Sequence, residues 1–189
     1  MKTISMSGSL RENVGKKGSK ALRNQGQIPC VIYGGKEQIQ FYTAEENFKE
    51  LVYSPEVAFA EISVNGKVYR AILQDIQYHP VSDKIIHADF YELIEGRTIV
   101  MNIPIKVVGN SVGLLKGGKL SRSMRKLKVR ALPENMPETI TIDITDLDIL
   151  QYVKVADVEN EKYQLLDPKG ATILLIKSTR NAVAEAPKK

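Results

Sequence analysis

The sequence predicts a mainly β protein built as two successive β-rich domains, and three observations carry that prediction. Period-two alternation of apolar and polar residues recurs along the chain, as in Lys126-Leu-Lys-Val-Arg-Ala131 and Glu138-Thr-Ile-Thr-Ile-Asp-Ile144. Turn formers interrupt these runs at short spacing, and helical periodicity is confined to two short stretches. A length of 189 residues accommodates one large domain or two ordinary ones.

Taken in order, Ser19 followed by Lys-Ala-Leu-Arg-Asn-Gln and Gly26 predicts a short helix with a Ser N-cap and a Gly at C′. Ile28-Pro-Cys-Val-Ile-Tyr33 then reads as a buried strand stopped by Gly34-Gly35. Thr43-x-x-Glu46 has the form of a capping box, with Phe48, Leu51 and Val52 spaced i, i+3, i+4 behind it. A second helix is therefore expected against one side of a sheet. Residues 57–64 and 67–73 alternate on either side of Asn65-Gly66, the dipeptide of a type I′ hairpin turn. In a strand over 85–93, His87, Asp89 and Tyr91 share one face and Ile86, Ala88 and Phe90 the other, so the polar face is a candidate contact surface.

At Ile94-Glu-Gly-Arg97 the chain turns and a fresh series of strands begins, which puts a boundary near residue 95: a first domain over 1–94 and a second over 95–180. The second opens with a strand over 98–109 and a turn-rich stretch over 112–119. The two alternating runs quoted above follow, then short strands near 152–155, 162–165 and 171–177. Residues 181–189 show no periodicity and are expected to form a fraying, flexible tail.

With 43% apolar, 26% charged and 6% aromatic residues, the composition is that of an ordinary globular protein, which excludes disordered and collagen-like classes. One cysteine cannot build a disulfide scaffold, and Cys30, inside an apolar run, is expected to be a buried bystander. No apolar run approaches the ~20 residues of a membrane span, and the first residues lack the apolar region of a secretory signal. The expected address is the cytosol, with no membrane partner. The formal net charge of +5 says little by itself, but its distribution is uneven. Lys2, Arg11, Lys16, Lys17, Lys20, Arg23 and Lys36 outnumber Glu12 and Glu37 in residues 1–40, and residues 41–94 are net acidic. A second basic stretch runs from Lys116 through Lys119, Arg122, Arg125, Lys126 and Lys128 to Arg130 with no acid among them.

Catalytic chemistry finds little support. Gly113-Leu-Leu-Lys-Gly-Gly-Lys119 resembles part of a phosphate-binding loop, but Leu120 stands where the Mg²⁺-binding hydroxyl should be. His79, Asp83, His87 and Asp89 include both histidines of the chain, which leaves a metal-dependent hydrolase using His79, His87 and Asp89 as the rival class, although no recognised ligand spacing is present. No nucleophile elbow occurs. No cofactor and no enzyme are expected. Binding is better supplied: cations suit phosphates, Tyr33 a stacking or hydroxyl contact, and Gln74, Gln77, His87 and Asp89 offer donors and acceptors for base edges, while a general protein-interaction module fits the same residues equally well.

Several stretches together carry a resemblance. Arg11-Glu-Asn-Val-Gly-Lys-Lys-Gly-Ser-Lys-Ala-Leu-Arg-Asn-Gln-Gly-Gln-Ile-Pro-Cys-Val-Ile-Tyr-Gly-Gly35, Gln74-Asp-Ile-Gln-Tyr-His-Pro80 and His87-Ala-Asp-Phe90 resemble the bacterial ribosomal large-subunit protein twenty-five family. Val107-Val-Gly, Gly117-Gly-Lys-Leu, Ala131-Leu-Pro, Met136-Pro-Glu-Thr-Ile-Thr-Ile-Asp-Ile and Ala156-Asp-Val look like the additional C-terminal domain of its long, general-stress-protein form.

The resemblance implies an N-terminal β-barrel, related to the anticodon-binding barrels of glutaminyl-tRNA synthetase, that binds 5S ribosomal RNA at loop E without catalysis. It puts Arg11, Lys16, Lys20 and Arg23 on the family's basic RNA-contacting segment, Tyr33 on its strand-end tyrosine, Gln74 on its strand glutamine, and His87 and Asp89 on its His-x-Asp pair. It also implies a large-subunit setting with neighbouring ribosomal RNA and proteins, a cytoplasmic ribosomal address and a monomer off the ribosome. An off-ribosome, stress-related RNA-binding protein is the alternative in the same class. Two positions depart from the family: Lys20-Ala21 where paired arginines are common, partly offset by Lys17, and Tyr78 where arginine is frequent. Lys119, Arg122, Arg125 and Lys126 form an expected secondary basic patch toward ribosomal RNA or an acidic neighbour.

Overall fold

A computed structural model describes residues 1–12 and 14–179, and the chain divides into two compact units, Met1–Arg97 and Thr98–Lys189. The expected tail over 181–189 lies outside the described residues.

Strand β1 (Lys2–Leu10) buries Ile4 and Met6 and leads into helix α1 (Lys16–Asn24). The helix starts earlier than its apparent cap. Gly15 occupies the N-cap position, and Ser19 lies inside, its hydroxyl donating to the Gly15 carbonyl at 2.9 Å and accepting from Arg11 at 3.0 Å. Ser19 thus bonds back to the i−4 carbonyl rather than capping. The stop signal acts as expected: Gly26 adopts φ 72° and its N–H bonds to the Arg23 carbonyl.

Strands β2 (Gln27–Tyr33) and β3 (Ile39–Ala44) follow, then a 3₁₀ turn over Glu45–Phe48 that runs into α2 (Lys49–Val52). The expected capping box does not form, because Thr43 belongs to the sheet. It is buried opposite Ile28, donates its hydroxyl to the Ser7 carbonyl at 2.6 Å and accepts from Asn47 at 2.7 Å. The apolar spacing behind it is nonetheless used: Phe48 is fully buried, and Leu51 and Val52 pack against the core.

Strands β4 (Ala58–Val64) and β5 (Lys67–Tyr78) form the expected hairpin, with Asn65 at φ 49° and Gly66 at φ 80°, as a type I′ turn requires. With β6 (Ile85–Glu92) the six strands close into a barrel of order β1-β3-β2-β6-β5-β4. The β1–β4 and β2–β6 pairs are parallel and the others antiparallel. Closure removes every free strand edge. Phe41, Phe48 and Phe90 fill the interior, with Phe90 5.9 Å from Phe41 and 6.2 Å from Phe48 between ring centroids.

The second unit contains β7 (Ile99–Val108), one-turn helix α3 (Val112–Leu115), β8 (Lys119–Arg122), β9 (Lys126–Ala131), β10 (Ile140–Asp143), β11 (Tyr152–Lys154), β12 (Gln164–Leu165) and β13 (Thr172–Lys177). They form a four-stranded sheet, β10-β7-β9-β12, and a three-stranded sheet, β11-β13-β8. Ser111, fully buried, caps α3 by accepting from the Leu114 N–H at 3.1 Å and donates to the Leu147 carbonyl at 2.9 Å. Lys119 opens a strand, so the partial phosphate-loop pattern has no helix behind it to present backbone N–H groups to a phosphate. Among the described residues, no helix is long and apolar enough to cross a membrane.

Candidate nucleic-acid interface

The barrel gathers polar side chains on one outer face over β2, β6 and β5. On β6, Ala88 and Phe90 point into the core, which turns His87, Asp89 and Tyr91 outward. On β2, Cys30 and Ile32 point inward and Tyr33 outward, in register with Tyr91. The two rings meet edge to face with centroids 5.7 Å apart. Arg97 completes this corner: its guanidinium lies 5.9 Å from the Tyr91 ring and donates to the Gly34 carbonyl at 2.7 Å.

Strand β5 reaches the same face through an irregularity. Leu73 pairs with Phe90 and Ile76 with Ala88, and both apolar side chains pack on the core although they are three residues apart. The register shift between Leu73 and Asp75 makes Gln74 the extra residue of a bulge and reverses the alternation beyond it. As a result Asp75 stands opposite Asp89, and Gln77 opposite His87, all on the outer face. Strict alternation from Leu73 would have sent Asp75 into the barrel.

The electrostatics of this face are specific. His87 Nδ1 lies 2.9 Å from Asp89 Oδ1, with each side chain 28% exposed, an ion pair when the imidazole is protonated. Asp75 has no ion-pair partner among the described residues. Burial first, then the negative charges of Asp89 and Asp75, raise the Tyr33 hydroxyl above its ordinary pKa, so it stays a proton donor. Beneath the face, burial and then Asp89 push the Cys30 thiol up, outweighing the lowering by Arg11. Cys30 is a protonated core residue, as expected of a bystander.

Helix α1 supplies the cations. It buries no residue, and Lys16, Lys17 and Lys20 are exposed. Lys16 and Lys17 occupy the first turn, where the macrodipole opposes positive charge. Arg11 and Arg23 do more than offer charge: Arg11 is half-buried and binds Ser19, and Arg23 Nε donates to the Ile86 carbonyl at 2.9 Å, tying the helix to β6. Ala21 lines a cleft of about 400 Å³ between α1, Arg11 and Tyr42.

The structure therefore brings Tyr33, Gln74, His87 and Asp89 onto one barrel face and places Lys16, Lys20 and Arg23 on the helix beside it. Sequence reasoning missed Asp75 and Arg97 as members of the group and put Tyr91 on the polar face without giving it a role. Tyr91 was on the legible polar face, whereas Asp75 depends on the bulge. His79 stands apart: its Nδ1 accepts from the N–H groups of Val81 and Ser82, closing the β5–β6 turn. Among the described residues, no group of three or more His, Cys, Asp or Glu is arranged to hold a metal. The basic stretch 119–130 is divided between two sheets. Lys119 and Arg122 lie on β8 opposite Lys177 and Leu174, Arg125 precedes β9, and Lys126 begins it.

Comparison with known proteins agrees with this architecture. The model of the ribosomal L25p family matches residues 6–90, and that of the ribosomal protein TL5 C-terminal domain matches 98–180. A large ribosomal subunit protein bL25 of Amoebophilus asiaticus is 44% identical over 180 residues, covering 95% of this chain and 92% of its own. Proteins of the same description from Porphyromonas gingivalis and Cytophaga hutchinsonii are 42% and 36% identical, each aligned over the whole of both chains.

Proposed function

The chain belongs to the ribosomal L25p family, in the form that carries a TL5-type C-terminal domain, and is a structural, non-enzymatic protein of the large ribosomal subunit; from that premise we propose that α1 and the outer β2–β6–β5 face bind 5S ribosomal RNA at its loop E region. The observation that carries the reading is the opposition of Asp75 and Asp89 beside a protonated Tyr33. Carboxylates repel phosphate and accept from base amino groups, so an acidic centre flanked by cations reads bases while the flanks hold the backbone.

The residue types and their placement support a division of labour. Lys16, Lys17 and Lys20 neutralise phosphates and set register. Gln74, Asp75, His87 and Asp89 face the base edges, and the Tyr33 hydroxyl donates. Such a face suits the wide, shallow minor groove of RNA or a distorted internal loop, since the narrow A-form major groove admits no side chain. Arg11 and Arg23 hold α1 in position through their bonds to Ser19 and to the Ile86 carbonyl, and the exposed Arg23 adds its charge to the phosphate-binding flank.

The test is binding to 5S ribosomal RNA over a salt series, with a loop E mutant RNA and an Asp89→Ala protein in parallel. Tight binding to native RNA, with log K falling by roughly 0.7–0.9 per log salt for each phosphate contact, and weak binding in both mutant arms support the reading. Equal binding to every RNA would reduce the surface to a generic polyanion site.

A further inference from the structure

The four-stranded sheet of the second unit has an outer face whose charge the barrel does not need. Alternation along β9 buries Leu127, Val129 and Ala131 and turns Lys126, Lys128 and Arg130 outward. On the neighbouring β7, Lys106 points the same way, because its partners on either side in the chain, Ile105 and Val107, pair with the buried Ile140 and Ile142. Cross-strand neighbours of opposite charge are the usual way to stabilise such a row. Here they are neutral: Lys126 stands opposite Pro104, Lys128 opposite Asn102, Arg130 opposite Val100 and Gln164, and Lys106 opposite Thr141. None of the four cations forms an ion pair among the described residues. The acids near the sheet are engaged elsewhere. Asp143 accepts from the Thr145 N–H and hydroxyl, and Asp167 accepts from the Lys128 backbone N–H at 2.7 Å.

We propose that this sheet face, through Lys106, Lys126, Lys128 and Arg130, is a second RNA-docking surface that grips the phosphodiester backbone of a base-paired RNA segment without reading its sequence. The absence of chemistry on the face chooses the occupant. Its neutral positions are Val100, Asn102, Pro104, Thr141 and Gln164, so no aromatic ring among them offers a stacking platform for unpaired bases, and the one carboxylate that alternates onto the face, Asp143, stands at the end of β10 and is turned to Thr145. Residues two apart on a strand are separated by about 6.8 Å, and cationic heads on flexible stems at that repeat can reach successive phosphates of one backbone. The surface differs from the loop E site in kind: that one centres on opposed carboxylates beside a phenol, and this one on a row of cations set among neutral residues. The choice of RNA over an acidic protein rests on membership of the large subunit, not on the loop E assignment.

The experiment uses the full chain and a Lys106→Gln, Lys126→Gln, Lys128→Gln, Arg130→Gln variant with three probes: a fully paired RNA duplex, a 5S loop E fragment and polyglutamate. The quadruple variant is expected to bind the duplex roughly tenfold or more weakly at about 0.1 M salt, with a salt slope shallower by two or more at ~0.7–0.9 per contact. Loop E binding stays unchanged. A second variant with Lys106→Arg, Lys126→Arg and Lys128→Arg keeps duplex binding, which separates loss of charge from loss of fold. Unchanged duplex affinity and slope overturn the proposal, as does a loss confined to polyglutamate. If the wild-type chain shows no loop E preference but the quadruple variant still loses the duplex, the loop E assignment fails and the second surface stands.

Discussion

Asp75 and Asp89 face each other directly across the β5–β6 pair, two carboxylates on one solvent-facing surface, held there by the bulge at Gln74. Like charges in directly opposed positions of an antiparallel pair destabilise it by about 0.2–1 kcal/mol. His87 Nδ1 stands 2.9 Å from Asp89 and offsets this there when protonated, and no ion pair does so at Asp75 among the described residues. An arrangement unfavourable to the free protein and favourable to a donor-rich ligand is a mark of a binding surface. Asp75→Asn is therefore expected to raise stability by about 0.2–1 kcal/mol in denaturant unfolding while weakening binding to loop E RNA. A variant that is less stable and binds RNA as before would show that Asp75 serves the fold instead.

The same opposition of stability and binding holds at α1. Lys16 and Lys17 sit in the first helical turn against the macrodipole, with no acidic residue there to offset them. Replacing both by Glu should raise the protection of α1 amides against hydrogen exchange, each change contributing about 0.3–1 kcal/mol to the helix. The salt slope of 5S RNA binding should fall by roughly 0.7–0.9 for each lost contact. A more protected helix with an unaltered salt slope would remove these lysines from the interface.

What the sequence made legible, and what it hid, follows from the range of the interactions. The Asn65-Gly66 hairpin was readable because two adjacent residues determine it. The polar face of β6 was readable because alternation needs only its own strand. Asp75 was not, since the bulge exists only in the pairing with β6. Thr43 gave a false helix start because its hydroxyl is taken by the distant Ser7 carbonyl. Arg23 read as a phosphate contact alone, while its bond to Ile86 spans 63 positions of sequence. The basic stretch 119–130 read as one patch, yet the turn between β8 and β9 sends its two ends to different sheets.

That long-range bond from Arg23 ties α1 to β6, and the helix has no fully buried side chain to dock it. Arg23→Ala should leave global stability within about 0.5 kcal/mol, as for surface substitutions generally, and lower exchange protection in α1 selectively. Its RNA affinity should fall by more than loss of one charge explains, because Lys16, Lys17 and Lys20 lose their common placement. Uniform protection changes across the barrel would contradict a local tether.

Gly34 supports the aromatic corner from below. Its φ is 94°, and a Cβ there would lie 2.6 Å from the Tyr91 ring. Gly34→Ala is expected to cost about 1–3 kcal/mol and to push Tyr91 off Tyr33, so the RNA affinity of the folded fraction should fall as well. Thermal unfolding and binding measured on the same preparation test both halves. A stable variant with intact binding would mean that the corner tolerates a shifted ring.

Cys30 links the buried side of the same strand to pH. Its thiol is raised by burial and by Asp89, whereas in the unfolded chain it titrates near 8.5. A group whose folded pKa lies above its unfolded value stabilises fully below the unfolded pKa and loses that contribution as pH rises through the folded one. Above about pH 8.5 the unfolded state sheds this proton and the native state keeps it, so Cys30 should reduce stability by roughly 1.4 kcal/mol per pH unit. Comparison of wild-type and Cys30→Ala proteins between about pH 8 and 10 isolates this slope from the tyrosines and lysines common to both. Alkylation supplies an independent check: a thiolate that forms only on unfolding reacts at the rate of opening. Identical pH dependence in the two proteins, or rapid labelling of the native chain, would place the thiol nearer to solvent than its packing against the barrel core allows.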